Sequence, residues 1–403
     1  MKSVDAHLQQ ILAAIGPLTE LELRLLDAHG CVLSEDVVAD RGVPAYDTAT
    51  CDGYAVRSPD VPGPVTLHVA GDVARGQAAN FVVQPGLCVR VVAGAVLPSG
   101  ADAVVPVGWT DGGLAQVAIS RAAVPGAYIR RAGDDVAAGA TVLARNSLIG
   151  AAQVGLLVAI GRRNVLVRPK PRVVVISVGA DLADAGESLG PGQQADAAGY
   201  AVSAAVREAG AIAFQGGIVG EDDPKTFSNV VEDHLIQADA VVVTGGLRDG
   251  PYDVVRDVLS RLGTMTYDEV AMEPGRAQAF GIIGVERTPV FVIPGDPVGA
   301  LVSFEVFVRP ALRRMLGAET LGRPHVSAMT TTAFASPAGR RQFVRVKVER
   351  SADRWVVTPT GGPNADLLTG LASANGLAIV PEETTEVAEG TPLLTWLLER
   401  RGI

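Results

Sequence analysis

Cysteine is scarce in this chain: Cys31, Cys51 and Cys88 lie far apart among 403 residues. An odd count, with no Cys-x-x-Cys pair and no Cys/His cluster, argues against a zinc site and against a disulfide framework. Cys51 reads as a small apolar filler. Positive charge is also in short supply. A net charge of −10 excludes nucleic acid as the main partner, because phosphate neutralisation needs clustered Lys and Arg, but it leaves a local basic cleft open. No apolar run reaches the roughly eighteen residues of a membrane helix, so no direct membrane insertion is expected. The opening stretch MKSVDAHLQQILAAIG is broken by Asp, His and Gln, so no signal peptide is expected and a cytoplasmic location is. It reads instead as an amphipathic helix with Ser3 as N-cap and Asp5 in its first turn. No strong internal repeat shows. No P-loop or G-x-G-x-x-G follows a strand, which sets aside the commoner nucleotide fingerprints.

What is present fits a folded multidomain protein: 48% apolar and 19% charged residues, in a chain too long for one ordinary core. Residues 1–170 mix short strands with Gly/Pro turns (PGPVTLHVAG, QPGLCVRVVAG, LPSGADAVVPV) and a helix over 147–160. Residues 172–317 change character. RVVVISVG suits a strand buried on both faces, followed by a helix over 200–209, a strand over 211–218, a helix over 224–237, the strand ADAVVVTGG, a helix over 252–262, the strand FVIPG and a long helix over 298–316. This alternation predicts a parallel α/β sheet, and the glycines at its strand ends, Gly179, Gly245, Gly246 and Gly295, mark where such sheets place ligands. Residues 318–403 return to short alternating segments that fit a small closed β module. The expected domains are 1–45 with 140–171, a β-rich insert at 46–139, an α/β domain at 172–317 and a β-barrel at 318–403.

Several segments carry chemistry. VPAYDTATCDGYAVR (residues 43–57) holds Asp47 and Asp52, with Gly53 read as a glycine able to take positive φ before an extended YAV; solvated aspartates in a turn explain the same pattern. In TGGLRDGPYD, Gly245 and Gly246 follow a buried strand and let backbone amides approach a phosphate, although a tight turn also needs them. In IPGDPVGALVSFEVFVRP, Asp296 serves as N-cap and Pro297 opens the helix, which is sufficient without function. EPGRAQAFG offers Arg276 as a bidentate grip on phosphate beside Glu273. RRAGDDVAAG places Asp134 and Asp135 behind two arginines, where surface ion pairs are the plain reading. Arg340, Arg341 and Arg345 alternate partly with apolar residues, as either a solvated or a phosphate-binding strand face.

Taken together, these segments resemble the MoeA/gephyrin E-domain family, the molybdopterin molybdenumtransferases, over essentially the whole chain. The first is similar to that family's DNSAMDGYAVR, the second to TGG-VS-x-G-xxD, the third to PGNPVSA, the fourth to KPGKPxxFG and the fifth to RRxGEDxxxG. SVGADL stands in place of STGDEL, and ADAAG in place of a YD-S/T-N stretch. The resemblance implies an α/β multidomain fold with an elongated composite N-terminal region, a β-rich insert, a central molybdopterin-binding-like domain and a C-terminal small β-barrel. It implies insertion of molybdate into adenylylated molybdopterin with release of AMP, aided by Mg²⁺, in a homodimer. The site residues it implies are Asp52, Asp135 and Asp253 for catalysis. Gly245, Gly246, Gly250, Arg276, Asp196 and Gly295 would bind the substrate, and Asp52, Asp181 and Asp253 the metal. The chain departs from the family at Thr48, Ala49, Ala180, Ala197, Ala198, Arg248, Asp249, Glu273 and Gly299. Glu273 reverses a charge where an anion is expected, at roughly 1 kcal/mol for a like-charge contact at ~4 Å in water. The alternative is a catalytically degenerate, gephyrin-like scaffold, its cleft relaxed while the framework glycines and prolines persist, holding the cytoplasmic tail peptide of a cytoskeletal or membrane partner.

Overall fold

The computed structural model describes residues 1–220, 223–247, 254–351, 353–361 and 368–398. The chain divides into two compact units, one formed by Glu22–His29 and Leu33–Val167, the other by Met1–Leu21, Gly30–Val32 and Arg168–Ile403.

The second of these is built on a six-stranded sheet. Its members are β1 (Arg172–Val178), β2 (Ile212–Val219), β3 (Ala240–Thr244), β4 (Gly263–Glu269), β5 (Ala277–Ile283) and β6 (Thr288–Ile293), in the order β2-β1-β3-β6-β5-β4. The first four run parallel, while β5 pairs antiparallel with both β6 and β4. The sheet is therefore mixed, which corrects the all-parallel expectation. The two extra strands escape a reading by alternation because glycines interrupt their side-chain pattern. A Cβ on Gly281 would stand 2.2 Å from the Thr264 carbonyl oxygen of β4, so the pair closes only with glycine there. β1, β3 and β6 are apolar and β-branched because both faces are covered. One face packs in a cluster with Val202, Phe304 and Phe307, the other with Phe227, Val231 and Leu259.

The helices are α1 (Val4–Ala14), α2 (Ala197–Glu208), α3 (Pro224–Leu235), α4 (Val254–Leu262), α5 (Pro297–Ser303) and α6 (Arg309–Met315), with a short one at Leu368–Ala372. Aspartates set three of the starts. Asp196, Asp223 and Asp296 each accept a hydrogen bond from the amide three residues on, which satisfies one of the orphan donors of a helix amino end. Ser3 caps α1 in the same way. The long helix expected over 298–316 is present, but a π-helical turn at Phe304–Val308 joins α5 to α6.

The same unit ends in a closed barrel of five strands, β7 (His325–Thr330), β8 (Arg341–Ser351), β9 (Arg354–Pro359), β10 (Gly376–Val380) and β11 (Pro392–Leu397). The ring runs β8-β9-β7-β11-β10 and returns to β8, as the small β module predicted. Val346, Val348, Val357 and Ala378 fill it.

The other unit centres on a five-stranded sheet in the order Ala103–Pro106, Gly53–Val56, Leu87–Val91, Val65–Val73 and Gln116–Ile119, with an apolar cluster on each face. It also holds the helix Ala151–Ala159. Among the described residues no helix is long and apolar enough to cross a membrane.

Candidate functional site

In the unit that holds Asp52, the Asp52–Gly53–Tyr54 segment is mainly architectural. Gly53 sits inside a buried strand and is not among the positive-φ glycines, contrary to the expectation from sequence. Glycine is needed because a Cβ would lie 2.0 Å from the Val105 carbonyl oxygen of the neighbouring strand. Tyr54 is buried and its hydroxyl donates to the Gly113 carbonyl at 2.9 Å. Asp52 itself is exposed, and its Oδ1 accepts from the Ala93 amide at 2.7 Å. Asp47 is held more firmly. It accepts from the Ala132 amide at 2.8 Å and from Arg131 Nη1 at 2.6 Å. The amide first, then the guanidinium, hold its carboxyl below the ordinary range, so it stays ionised as a loop tie. The pairing of Thr48 with Arg130 brings the Asp52 loop beside the 130–135 loop. There Asp134 accepts from the Arg131 amide, whereas Asp135 is exposed and meets Arg130 at 3.6 Å. Of the acidic residues in these two loops, Asp52, Asp134 and Asp135 are exposed and Asp47 is half-buried.

In the α/β unit the candidate residues gather at the carboxyl ends of the strands. Gly245 and Gly246 have φ of +90° and +70°. A Cβ would approach the Val178 oxygen to 2.3 Å in the first case and Val255 Cγ2 to 2.2 Å in the second. Both positions demand glycine for the turn itself. The Gly245 amide donates to the Ile293 carbonyl at 3.0 Å. Gly295 packs on Gly245, its virtual Cβ 3.2 Å from that Cα. Gly299 donates to Asp296 Oδ1, and a side chain added there would press on the cap at 2.5 Å. Gly250 and Asp253, with Arg248 and Asp249, lie outside the described residues.

Asp196 is buried in a polar relay that the sequence pattern hides. Its Oδ1 takes the Gly199 amide, its Oδ2 takes Ser177 Oγ, and Thr244 Oγ1 donates to Ser177 Oγ at 3.2 Å. The signal for Ser177 and Thr244 is a lone hydroxyl ending an otherwise apolar strand. Asp181 accepts from Gln194 Nε2 at 2.8 Å. Arg276 is half exposed and meets Glu269 at 3.5 Å. Glu273 is not an uncompensated negative charge: Arg340 Nη1 donates to its Oε2 at 2.9 Å. The turn after it is held by Gln278, whose Nε2 donates to the Gly275 carbonyl and to Ser303 Oγ. Arg341 is committed to Asp5 and Glu382, so the arginine face of β8 is paired rather than open. Among the described residues no three His, Cys, Asp or Glu side chains converge as a metal cage.

Three family descriptions match consecutive stretches of the chain. "MoeA N-terminal region (domain I and II)" covers residues 2–161, "Probable molybdopterin binding domain" residues 174–314, and "MoeA C-terminal region (domain IV)" residues 327–398. The chain is 41% identical to "Molybdopterin molybdenumtransferase 2" of Mycobacterium tuberculosis, over 98% of this chain and 99% of that protein. It is also 41% identical to "Molybdopterin molybdenumtransferase 1" of the same organism, over the full length of both. Among solved structures, a molybdopterin biosynthesis moea protein from Pyrococcus horikosii superposes with a TM-score of 0.82 at 30% identity, covering 98% of this chain and 99% of the other. With matches that run end to end through both units, the chain belongs to the MoeA family, whose curated relatives are named molybdopterin molybdenumtransferases.

Proposed function

We propose that this protein is a molybdopterin molybdenumtransferase acting in molybdenum cofactor biosynthesis, inserting molybdate into adenylylated molybdopterin with release of AMP. The observation that carries the reading is the end-to-end match, at 41% identity, to two relatives bearing that name. The local geometry agrees with it. The departure that most opposed an anionic substrate, Glu273, is neutralised by Arg340 and leaves no free negative charge to repel one. The scaffold alternative draws no specific support from these relatives.

Asp52 and Asp135 are the proposed catalytic carboxylates, with Asp253 as a third. Gly245, Gly246 and Gly295 are the proposed substrate-binding positions at the strand ends, through the tight turns they form rather than through open space, since a Cβ at each would meet Val178, Val255 or Gly245. Arg276, exposed and only loosely paired, supplies a cation for the phosphate. Mg²⁺ takes one or two carboxylates plus phosphate oxygens and water rather than an all-protein cage. Asp52 in one unit and Asp181 in the other are each proposed, separately, as such a carboxylate: each spends one oxygen on a single neutral hydrogen bond and keeps acceptor capacity, so each fits as a donor to the ion. Bound there, Mg²⁺ would neutralise charge on the phosphate oxygens. A homodimer is the proposed working form.

The test is AMP release by the purified chain supplied with molybdopterin-adenylate, molybdate and Mg²⁺, with calorimetric titration of the same substrate. Release is expected, and Asp52→Asn is expected to lower its rate roughly 100-fold, the scale of losing the positioning of a reacting group. The absence of both binding heat and AMP release from the folded protein would overturn the reading.

A further inference from the structure

Arg75 lies outside every motif singled out above, in the turn that follows the strand Val65–Val73 of the unit that holds Asp52. The residue is exposed, yet its guanidinium is laid against the backbone of Gly94. A Cβ on that glycine would stand 2.6 Å from Arg75 Nε and 2.8 Å from Nη2, so only glycine leaves room for the seat. Gly94, at φ +81°, belongs to the turn 92–95, which is tied to the Asp52 loop at three points. The Ala93 amide donates to Asp52 Oδ1 at 2.7 Å, the Gly94 amide to the Ala49 carbonyl at 2.7 Å, and the Ala49 amide to the Ala95 carbonyl at 3.0 Å. The guanidinium therefore rests one residue from the amide that holds the proposed catalytic carboxylate.

The guanidinium is placed but not paired. The carboxylate nearest to it in sequence, Asp72, is engaged by Arg90 through two bonds, at 2.6 and 2.9 Å. Among the described residues Arg75 makes neither a hydrogen bond nor an ion pair, Asp52 included, so its N–H donors stay open. In a chain of net charge −10, an anion arriving beside Asp52 would be repelled unless a cation stood close by. A planar fork of donors supplies that cation and matches two oxygens of one anion at once. We propose that Arg75, seated on the Gly94 turn, forms a subsite for a tetrahedral oxyanion beside Asp52. The assignment rests on the transferase reading for what brings such an anion here. Molybdate and the phosphate of the adenylylated substrate share this chemistry.

The intact chain is titrated calorimetrically with molybdate alone and with AMP alone, which separates the two sources of the oxyanion. Binding of at least one is expected. Arg75→Ala is expected to weaken it about 10- to 100-fold, the scale of losing hydrogen bonds to a charged group, without lowering the thermal midpoint, because the side chain is exposed and unpaired. Arg75→Lys, which keeps the charge but not the fork, is expected to fall between the two. Arg163→Ala removes the same charge from another exposed position of this unit and is expected to leave both affinities unchanged. No heat with either anion, affinities indifferent to Arg75→Ala, or an equal loss in Arg163→Ala overturns the assignment. Anion binding that depends on Arg75, without AMP release from the adenylylated substrate, would sink the transferase reading and leave the subsite standing. AMP release with anion affinities indifferent to Arg75 would do the reverse.

Discussion

Glu273 and Arg340 have side chains 31% and 32% exposed and meet at 2.9 Å, so their attraction is partly screened and contributes about 0.5 kcal/mol. Replacing Glu273 by the family's lysine would set two cations at that distance and cost about 1 kcal/mol instead. Glu273→Lys is therefore expected to destabilise the protein, and Glu273→Lys with Arg340→Glu to recover most of the loss. A double-mutant cycle on urea unfolding measures this coupling, and a value below about 0.2 kcal/mol would show that the pair does not act as one. The sequence exposes Glu273 as a departure but hides its answer, because the partner stands 67 positions away. The same holds for Asp47 and Arg131, 84 positions apart. Residues whose job is local were legible: Ser3 and Asp296 as caps, and Gly245 and Gly246 as the strand-end glycines. For those glycines the physical cause was only half read, since the turn and the packing of Val178 and Val255 already require them.

At the scale of elements, α1 and α5 declared themselves through the caps Ser3 and Asp296 and buried strands through β-branched runs, whereas the caps Asp196 and Asp223 emerge only from the structure. β4 and β5 did not declare themselves, because Gly263 and Gly281 replace the side chains that would have shown alternation. The docking of α1 shows what a single buried group adds to an element. His7 is buried against the edge of Phe307 in the π turn, ring centroids 4.8 Å apart, with Nδ1 3.2 Å from Asp268. Burial, aided by Lys2 and opposed by Asp268, depresses its pKa to about 4 from 6.5. The unfolded chain therefore takes up a proton at a higher pH than the native one. Stability is complete above about pH 6.5 and declines as pH falls toward 4, by about 3 kcal/mol in full. Unfolding free energy measured by urea between pH 7.5 and 4.5 should show this decline, and His7→Leu should flatten it. An equal slope in the two proteins would mean other groups carry the pH dependence.

For the molecule as a whole, the alternation of strand and helix and the short closing strands sufficed to place a central α/β domain before a small barrel, since period and element length follow from which faces are buried. What fastens that barrel to the α/β domain is a contact between distant residues. Arg323, just ahead of β7, donates through Nε and Nη2 to Glu305 of the π turn at 2.8 and 2.6 Å, and through Nη1 to the Leu398 carbonyl at 2.9 Å, just after β11. Its Nη2 also reaches Glu208 of α2 at 3.4 Å. The side chains of Arg323 and Glu305 are 8% and 7% exposed, so removing the guanidinium would leave a buried carboxylate with only Arg309, 3.8 Å away, as its cation among the described residues. Arg323→Ala is expected to cost about 3 kcal/mol, whereas Arg323→Met with Glu305→Leu and Arg309→Met, which removes all three buried charges and keeps apolar volume, should cost far less. Trp355 and Trp396 lie in the barrel strands, so their fluorescence during urea unfolding reports the joint directly. If Arg323→Ala costs less than about 1 kcal/mol, the guanidinium is only an exposed-type bridge, and apolar packing around Leu301 and Leu377 must hold the two domains together.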